Sequence, residues 1–186
     1  MVIRAKGIHG VVFDLDGTIW HGEKPDIDAD QVLNHIRGLE IKVAFSTNTA
    51  SKSPEEIAEK GQRLGLSITY DQIYSVGRLT SQYAKENYPD HQYLITGEEN
   101  SLFKQFVERG LKCWSLDGHL NIAEKEKILL SKSHCVALTS FNREFGYSQL
   151  KRIFQLREWI DELWVAGNDR WYGGESGKLP ATSWIT

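Results

Sequence analysis

Apolar runs and apolar periodicities alternate along the first eighty residues. IHGVVFDL, residues 8–15, reads as a buried strand. ADQVLNHIRGLE, residues 29–40, sets Val32, Leu33, Ile36 and Leu39 on one helical face, with Asp30 as its N-cap. IKVAFST, residues 41–47, is a second apolar strand. SKSPEEIAEKGQRLG, residues 51–65, predicts a well-marked helix: Ser53 caps, Pro54 suits the first turn, Glu56 closes a capping box and Gly65 ends it. QIYSV predicts a third strand and RLTSQYAKENY a third helix. Strand and helix in strict alternation are the sequence form of a parallel sheet with right-handed crossovers.

Further along, four apolar runs, QYLITGEE, LKCWSL, HCVALTS and ELWVAGN, are expected to be strands. Between them ENSLFKQFVERG places Phe103, Phe106 and Val107 on one helical face, and YSQLKRIFQLREWI does the same for Leu150, Ile153 and Phe154. The fold class is therefore α/β. A Rossmann-like parallel-sheet unit is expected over residues 1–77 and a second α/β unit over 78–181, with 182–186 beginning a further segment.

Composition narrows the function. The chain has 186 residues, 40% hydrophobic and 25% charged, with a net charge of −3. A pI near 6.1 gives no basic face for nucleic acid or an anionic membrane. No apolar run approaches the roughly 18 residues that span a bilayer. The N-terminus does not read as a signal peptide, so a soluble cytoplasmic protein is expected. Cys113 and Cys135 are the only cysteines and are expected to be reduced core thiols. The six histidines form no zinc-site spacing.

The chemistry concentrates in VVFDLDGTIW, residues 11–20. Asp14 and Asp16 stand at the carboxyl end of the first strand, where open parallel sheets bind ligands. In an extended segment residues i and i+2 share a side, so both carboxylates are expected to face one cleft. Gly17 permits a tight turn and close approach to the backbone, and Thr18 can fix that turn by local hydrogen bonding. A bare D-x-D is usually a solvated turn. D-x-D-G-T followed by an aliphatic residue arises by chance in roughly one chain of this length in a few thousand.

DLDGT resembles the first motif of the haloacid dehalogenase-like phosphohydrolases. The resemblance implies Asp14 as the nucleophile that forms an aspartyl-phosphate. It implies Asp16 as general acid to the leaving group and then as base for water. AFSTNTA, residues 44–50, is similar to the second motif, which in the NagD-like branch reads Thr-Asn-Asn-Ser. Thr47 and Asn48 match it, whereas Thr49 and Ala50 depart. Gly17, Thr47 and Asn48 are thereby implied to bind phosphate, and Asp14 and Asp16 to hold Mg²⁺.

The likeness continues into the second unit, which resembles the α/β cap of that branch. YLITGEENSLFKQFVERG resembles a strand ending Gly-Glu and the helix after it. CVALTSFNREFGYSQL resembles Val-Gly-Leu-Asp-Arg-Glu-Phe-x-Tyr-x-x-Leu, with Asn142 in place of the aspartate. VAGNDRWYGGESGKLPATSWI resembles Ala-Thr-Asn-Pro-Asp-Arg and its continuation. It implies that Asn168 and Asp169 contact the leaving group from the cap. Lys178, in GKLP, is assigned to the exit of the cap rather than to the catalytic lysine.

The family continues past this point with a lysine near the phosphate and an acidic strand end that completes the magnesium site. Here the chain ends at Thr186. The omission matters: two unit charges 4 Å apart interact by about 4 kcal/mol at an effective dielectric near 20, and phosphate facing Asp14 is repelled roughly twice as strongly. A fragment of a longer gene product is the expectation, ahead of a sheet completed by another chain or a decayed homologue. The expected function is a magnesium-dependent phosphatase acting on a small phosphorylated metabolite, with no nucleic-acid or membrane partner. The alternative is a truncated or degenerate homologue that binds a phosphorylated ligand or partner without turnover. Room is left for a homo-oligomer or for completion of the sheet by another chain.

Overall fold

In the computed structural model, residues 7–96, 101–116, 134–140, 146–167, 171–174 and 177–180 are described. They form a mixed α/β fold with two parallel sheets. The chain divides into one unit of Met1–Thr47 with Pro54–Ser75 and another of Asn48–Ser53 with Val76–Thr186.

The first unit is built on β1 (Gly10–Asp14), β4 (Lys42–Thr47) and β5 (Ile73–Ser75), parallel and in that order. Between β1 and β4 lie a short hairpin, β2 (Trp20–His21) with β3 (Lys24–Pro25), and helix α1 (Ala29–Gly38). Helix α2 (Pro54–Arg63) joins β4 to β5. Each strand lies beside its predecessor on the same side, so right-handed crossovers put both helices on one face of the sheet. Leu33 of α1 and Ile57 of α2 accordingly share a core with Leu15, Phe45, Ile68 and Ile73.

The opposite face of this sheet is open among the described residues. Val12 is 66% exposed, and Tyr74 of β5 is exposed on the same face. This corrects the expectation of a buried first strand: β1 is an edge strand covered on one face only, so its residues alternate between partly buried and exposed.

Three helices end in the same way. After α1, α2 and α4 (Ser101–Glu108) the two N–H groups beyond the helix bond back to the last turn: Glu40 to Arg37 and Ile41 to Ile36, Gly65 to Gln62 and Leu66 to Gly61, Gly110 to Val107 and Leu111 to Phe106. This closure needs a left-handed residue. Gly65 and Gly110 supply it at φ +79° and +69°, but Glu40 does so at +59° with a side chain in the way. A left-handed non-glycine residue costs roughly 1–2 kcal/mol. Glu40→Gly is therefore expected to stabilise the chain by about 1 kcal/mol after its own entropic cost, raising Tm by about 2–4 °C. An unchanged or lower Tm counts against this account of the turn.

The second unit has a four-stranded parallel sheet in the order β7 (Lys112–Ser115), β6 (Gln92–Ile95), β8 (Cys135–Ser140), β9 (Glu162–Ala166). These are the four runs expected to be strands. Helices α3 (Val76–Asn87) and α4 cover one face through Ala84, Leu102 and Phe106, which meet Tyr93, Ile95, Val136 and Leu138. On the other face Leu94 and Cys135 meet Leu156 at the end of α5 (Tyr147–Leu156), with Ile153 and Trp159 packed alongside. Both faces are covered, which explains why β6 is buried at every position. Two further strands, β10 (Trp171–Gly174) and β11 (Gly177–Pro180), pair antiparallel.

The helix faces differ from expectation in detail. Asp28, not Asp30, is the N-cap of α1, and it makes no side-chain capping bond. Asp30 instead accepts from Asn34 Nδ2 at 2.9 Å. Val32 and Leu39 are exposed, and so are Val107, Leu150 and Phe154; Leu33 and Phe106 are buried as expected, with Ile36, Phe103 and Ile153 packed alongside, and Leu102 and Leu156 are buried besides. Both cysteines are free, as expected. Burial pushes the Cys113 thiol up to about 12, and burial together with the Asp161 charge pushes Cys135 up to about 11, so neither is a thiolate at neutral pH.

At the start of β9, Glu162 accepts from Trp164 Nε1 at 2.6 Å and meets His134 Nε2 at 3.1 Å. The indole N–H first, then the hydrogen bond and charge of His134 and the charge of His91, hold this carboxyl below its ordinary value, against an opposing pull from desolvation. A depressed carboxyl adds stability above its unfolded value, about 4.3, and loses it as pH falls through the folded value. Tm is expected to drop on acidification below that point, and Glu162→Gln is expected to flatten the drop. Equal acid slopes for wild type and variant would contradict it.

Candidate active site

The site is built by the register of two strands. Asp14, the last residue of β1, lies opposite Ser46 of β4, one residue before Thr47. Thr47 in turn lies opposite Ser75 of β5. The pairing thus brings the carboxyl ends of β1 and β4 side by side, and Asp14 with them. Asp14 is exposed, whereas Thr47 is 4% exposed.

The turn after Asp14 is organised by one carbonyl. Leu15 is fully buried, and its backbone oxygen accepts from the N–H groups of Thr18, Ile19 and Trp20 at 3.3, 2.9 and 3.2 Å. Gly17 sits at φ +90°, and its N–H donates to the Trp20 carbonyl at 2.8 Å. That backbone angle is the reason for glycine here, since a Cβ would meet nothing within 4 Å but would be strained.

Strand pairing stops at Asp14, so Asp16 is not placed by extended-chain alternation. It lies in the turn, bridged to Trp20. Its Oδ1 accepts from Trp20 Nε1 at 2.7 Å. Lys60 Nζ, from α2, approaches the same oxygen to 3.9 Å and lies 4.7 Å from the centre of the Trp20 ring. Neither Trp20 nor Lys60 is among the residues expected from the sequence. A signal was present for the lysine: Lys60 shares the helical stripe of Ile57 and Gly61, which faces the core, an unusual place for a charge.

Asn48 is exposed and opens the Asn48–Ser53 stretch of the second unit. Its carbonyl oxygen lies 3.8 Å from where a Cβ on Gly167 would stand, and Gly167 has φ +102°. Asn168 and Asp169 lie outside the described residues. Among the described residues no three His, Cys, Asp or Glu side chains gather as a metal site. Asp14 and Asp16 still fit magnesium in kind: it takes hard oxygen donors, which the Asp14 carboxylate and the Asp16 backbone carbonyl would supply, with water and substrate phosphate providing the rest.

A family model described as haloacid dehalogenase-like hydrolase matches residues 11–112, more than half of the chain. The chain belongs to the haloacid dehalogenase-like hydrolases. Among curated relatives of this haloacid dehalogenase-like chain is phosphoglycolate phosphatase 1A, chloroplastic, of Arabidopsis thaliana. The two are 28% identical over 146 residues, 75% of this chain and 40% of the relative. Among solved structures, a glycerol phosphate phosphatase of Mycobacterium tuberculosis in complex with magnesium matches with TM-score 0.76 and 23% identity, over 96% of this chain and 50% of that one. A putative nagD protein matches with TM-score 0.78 and 17% identity, over 96% and 64%. The chain therefore spans less than two thirds of each. No helix among its described residues is long and apolar enough to cross a membrane.

Proposed function

We propose that this haloacid dehalogenase-like chain belongs to a magnesium-dependent phosphatase that hydrolyses a small phosphomonoester through an aspartyl-phosphate on Asp14. One observation carries the reading: an exposed aspartate at the carboxyl end of β1, in register with the end of β4 and followed by a turn that holds a second aspartate. An Asp14 carboxylate oxygen attacks phosphorus as the bond to the ester oxygen breaks, and Asp16 gives its proton to the departing alcohol. Asp16, now a carboxylate, takes a proton from water as the water oxygen bonds to phosphorus and the Asp14–phosphorus bond breaks. Gly17, Thr47 and Asn48 bind the phosphoryl oxygens. Magnesium would be held by the Asp14 carboxylate and the Asp16 backbone carbonyl and would offset the charge of the phosphate.

Two free thiols, the Cys135 one buried, suit a reducing compartment and support placing that enzyme in the cytoplasm. The test is phosphate release from p-nitrophenyl phosphate, 2-phosphoglycolate and glycerol phosphate, with magnesium and with EDTA. Release that needs magnesium is expected. With no cluster of three metal-ligating side chains among the described residues, a second reading is binding of a phosphorylated ligand without turnover. A folded protein that binds phosphate and releases none supports that reading and overturns the first. Among the described residues β1 is an edge strand with one exposed face, which supports the reading that a second copy or another chain completes the sheet.

A further inference from the structure

We propose that Lys60 is a positioning residue, which together with Trp20 fixes the carboxylate of Asp16 by a single oxygen; the catalytic consequence rests on the phosphatase reading above. Lys60 is 7% exposed, on a helix whose buried neighbours are Ile57, Ala58 and Gly61. A methionine or leucine would fill such a position without the cost of desolvating an ammonium group. The lysine places its charge 3.9 Å from Asp16 Oδ1 and 3.9 Å from Glu23 Oε1 of the β2–β3 hairpin. It also lies over the Trp20 ring, at 4.7 Å, where the face of the indole attracts a cation.

Trp20 is almost fully buried in the same core as Leu15, Leu33 and Ile57, so its N–H points in a direction set by packing. Both contacts fall on Oδ1 of Asp16. The carboxylate is thereby held by one oxygen, and Oδ2 stands outside both contacts. The same cation ties Glu23, and with it the hairpin, to the orientation of Asp16. Lys60 itself does not touch the substrate in this scheme. It acts through Asp16.

The experiment uses the full chain with ¹⁵N-labelled tryptophan. The Trp20 indole resonance is identified by its loss in Trp20→Phe, and Asp16→Asn defines how it moves when the acceptor is altered. Lys60→Met is expected to shift that resonance in the same sense and to lower kcat by about 10- to 100-fold, the usual effect of a misplaced catalytic group, with KM within about twofold. Lys60→Arg is expected to restore most of both. An unmoved indole resonance in Lys60→Met overturns the proposal, and so does unchanged kcat in an active protein. If wild type turns over no phosphomonoester, the phosphatase reading falls alone, and the indole resonance still decides whether Lys60 holds Asp16. Should Lys60→Met fail to fold, Lys60→Gln keeps the test.

Discussion

Asp14→Asn is expected to lower phosphomonoester turnover by about a thousandfold or more, in line with removal of a nucleophile elsewhere. The amide has no anionic oxygen to attack phosphorus, and Asp14 is the only group this reading allows to form the covalent intermediate. The fold has no reason to suffer. Asp14 is exposed, and its link to Ser46 is through the backbone. Stability is therefore expected within about 0.5 kcal/mol of wild type, as for other surface changes. Trapping with labelled substrate adds a direct check: wild type is expected to acquire an acid-stable, base-labile label at residue 14, and the variant none. Residual activity near wild type, or label elsewhere, would remove Asp14 from its role and the phosphatase reading with it.

Phe45→Ala is expected to be the most damaging single change to stability in the first unit. Phe45 is fully buried at the centre of β4, paired with Phe13 of β1 and Ile73 of β5. Its ring centre lies 6.4 Å from that of Phe13. Truncation loses the transfer energy of the ring and leaves a cavity, together about 3–5 kcal/mol, which lowers Tm by roughly 10 °C for a chain of this size. Val12→Ala on the open face of the adjacent strand is expected to cost under about 0.5 kcal/mol in the isolated chain. The contrast is the informative part. Thermal melts of the two variants would disagree with the described packing if Val12→Ala proved as costly as Phe45→Ala. A large cost at Val12 would mean that its face is covered in solution. Because Phe13 and Phe45 precede Asp14 and Ser46, collapse around a cavity at position 45 is also expected to weaken activity at temperatures where the fold survives.

The alternation of strand and helix was legible because apolar runs and 3.6-residue periodicity report burial directly. All seven strands read from apolar runs are present, and so are the five helices. What the sequence could not supply was which neighbours cover each face. Val12 sits in an apolar run indistinguishable from a doubly buried strand, yet two helices on one side leave its face open. In α4 and α5 Phe106 and Ile153 turn inward as their spacing predicts, but Val107, Leu150 and Phe154 do not, and Leu102 and Leu156 lie against the sheet in their place. Broad apolar arcs admit both choices, and only packing decides between them. Asp30 was a natural capping residue by type, but the chain enters α1 through a left-handed Asp28. At the site, Asp14 and Gly17 could be read from local chemistry: strand end, then forced turn. Trp20 and Lys60 could not, since their meeting with Asp16 depends on how α2 lies against the turn. The lysine on an apolar stripe was the one local hint.

The unequal wrapping of the two sheets sets an order of hydrogen–deuterium exchange. Amides of β6 and β8, central in their sheet and covered on both sides, open only when much of the second unit opens. Those of β1 have one bonded neighbour among the described strands and water over half their side chains. The strand that delivers Asp14 is thus among the first to exchange, and anything that settles on its bare side slows deuterium uptake at the same backbone that carries this aspartate.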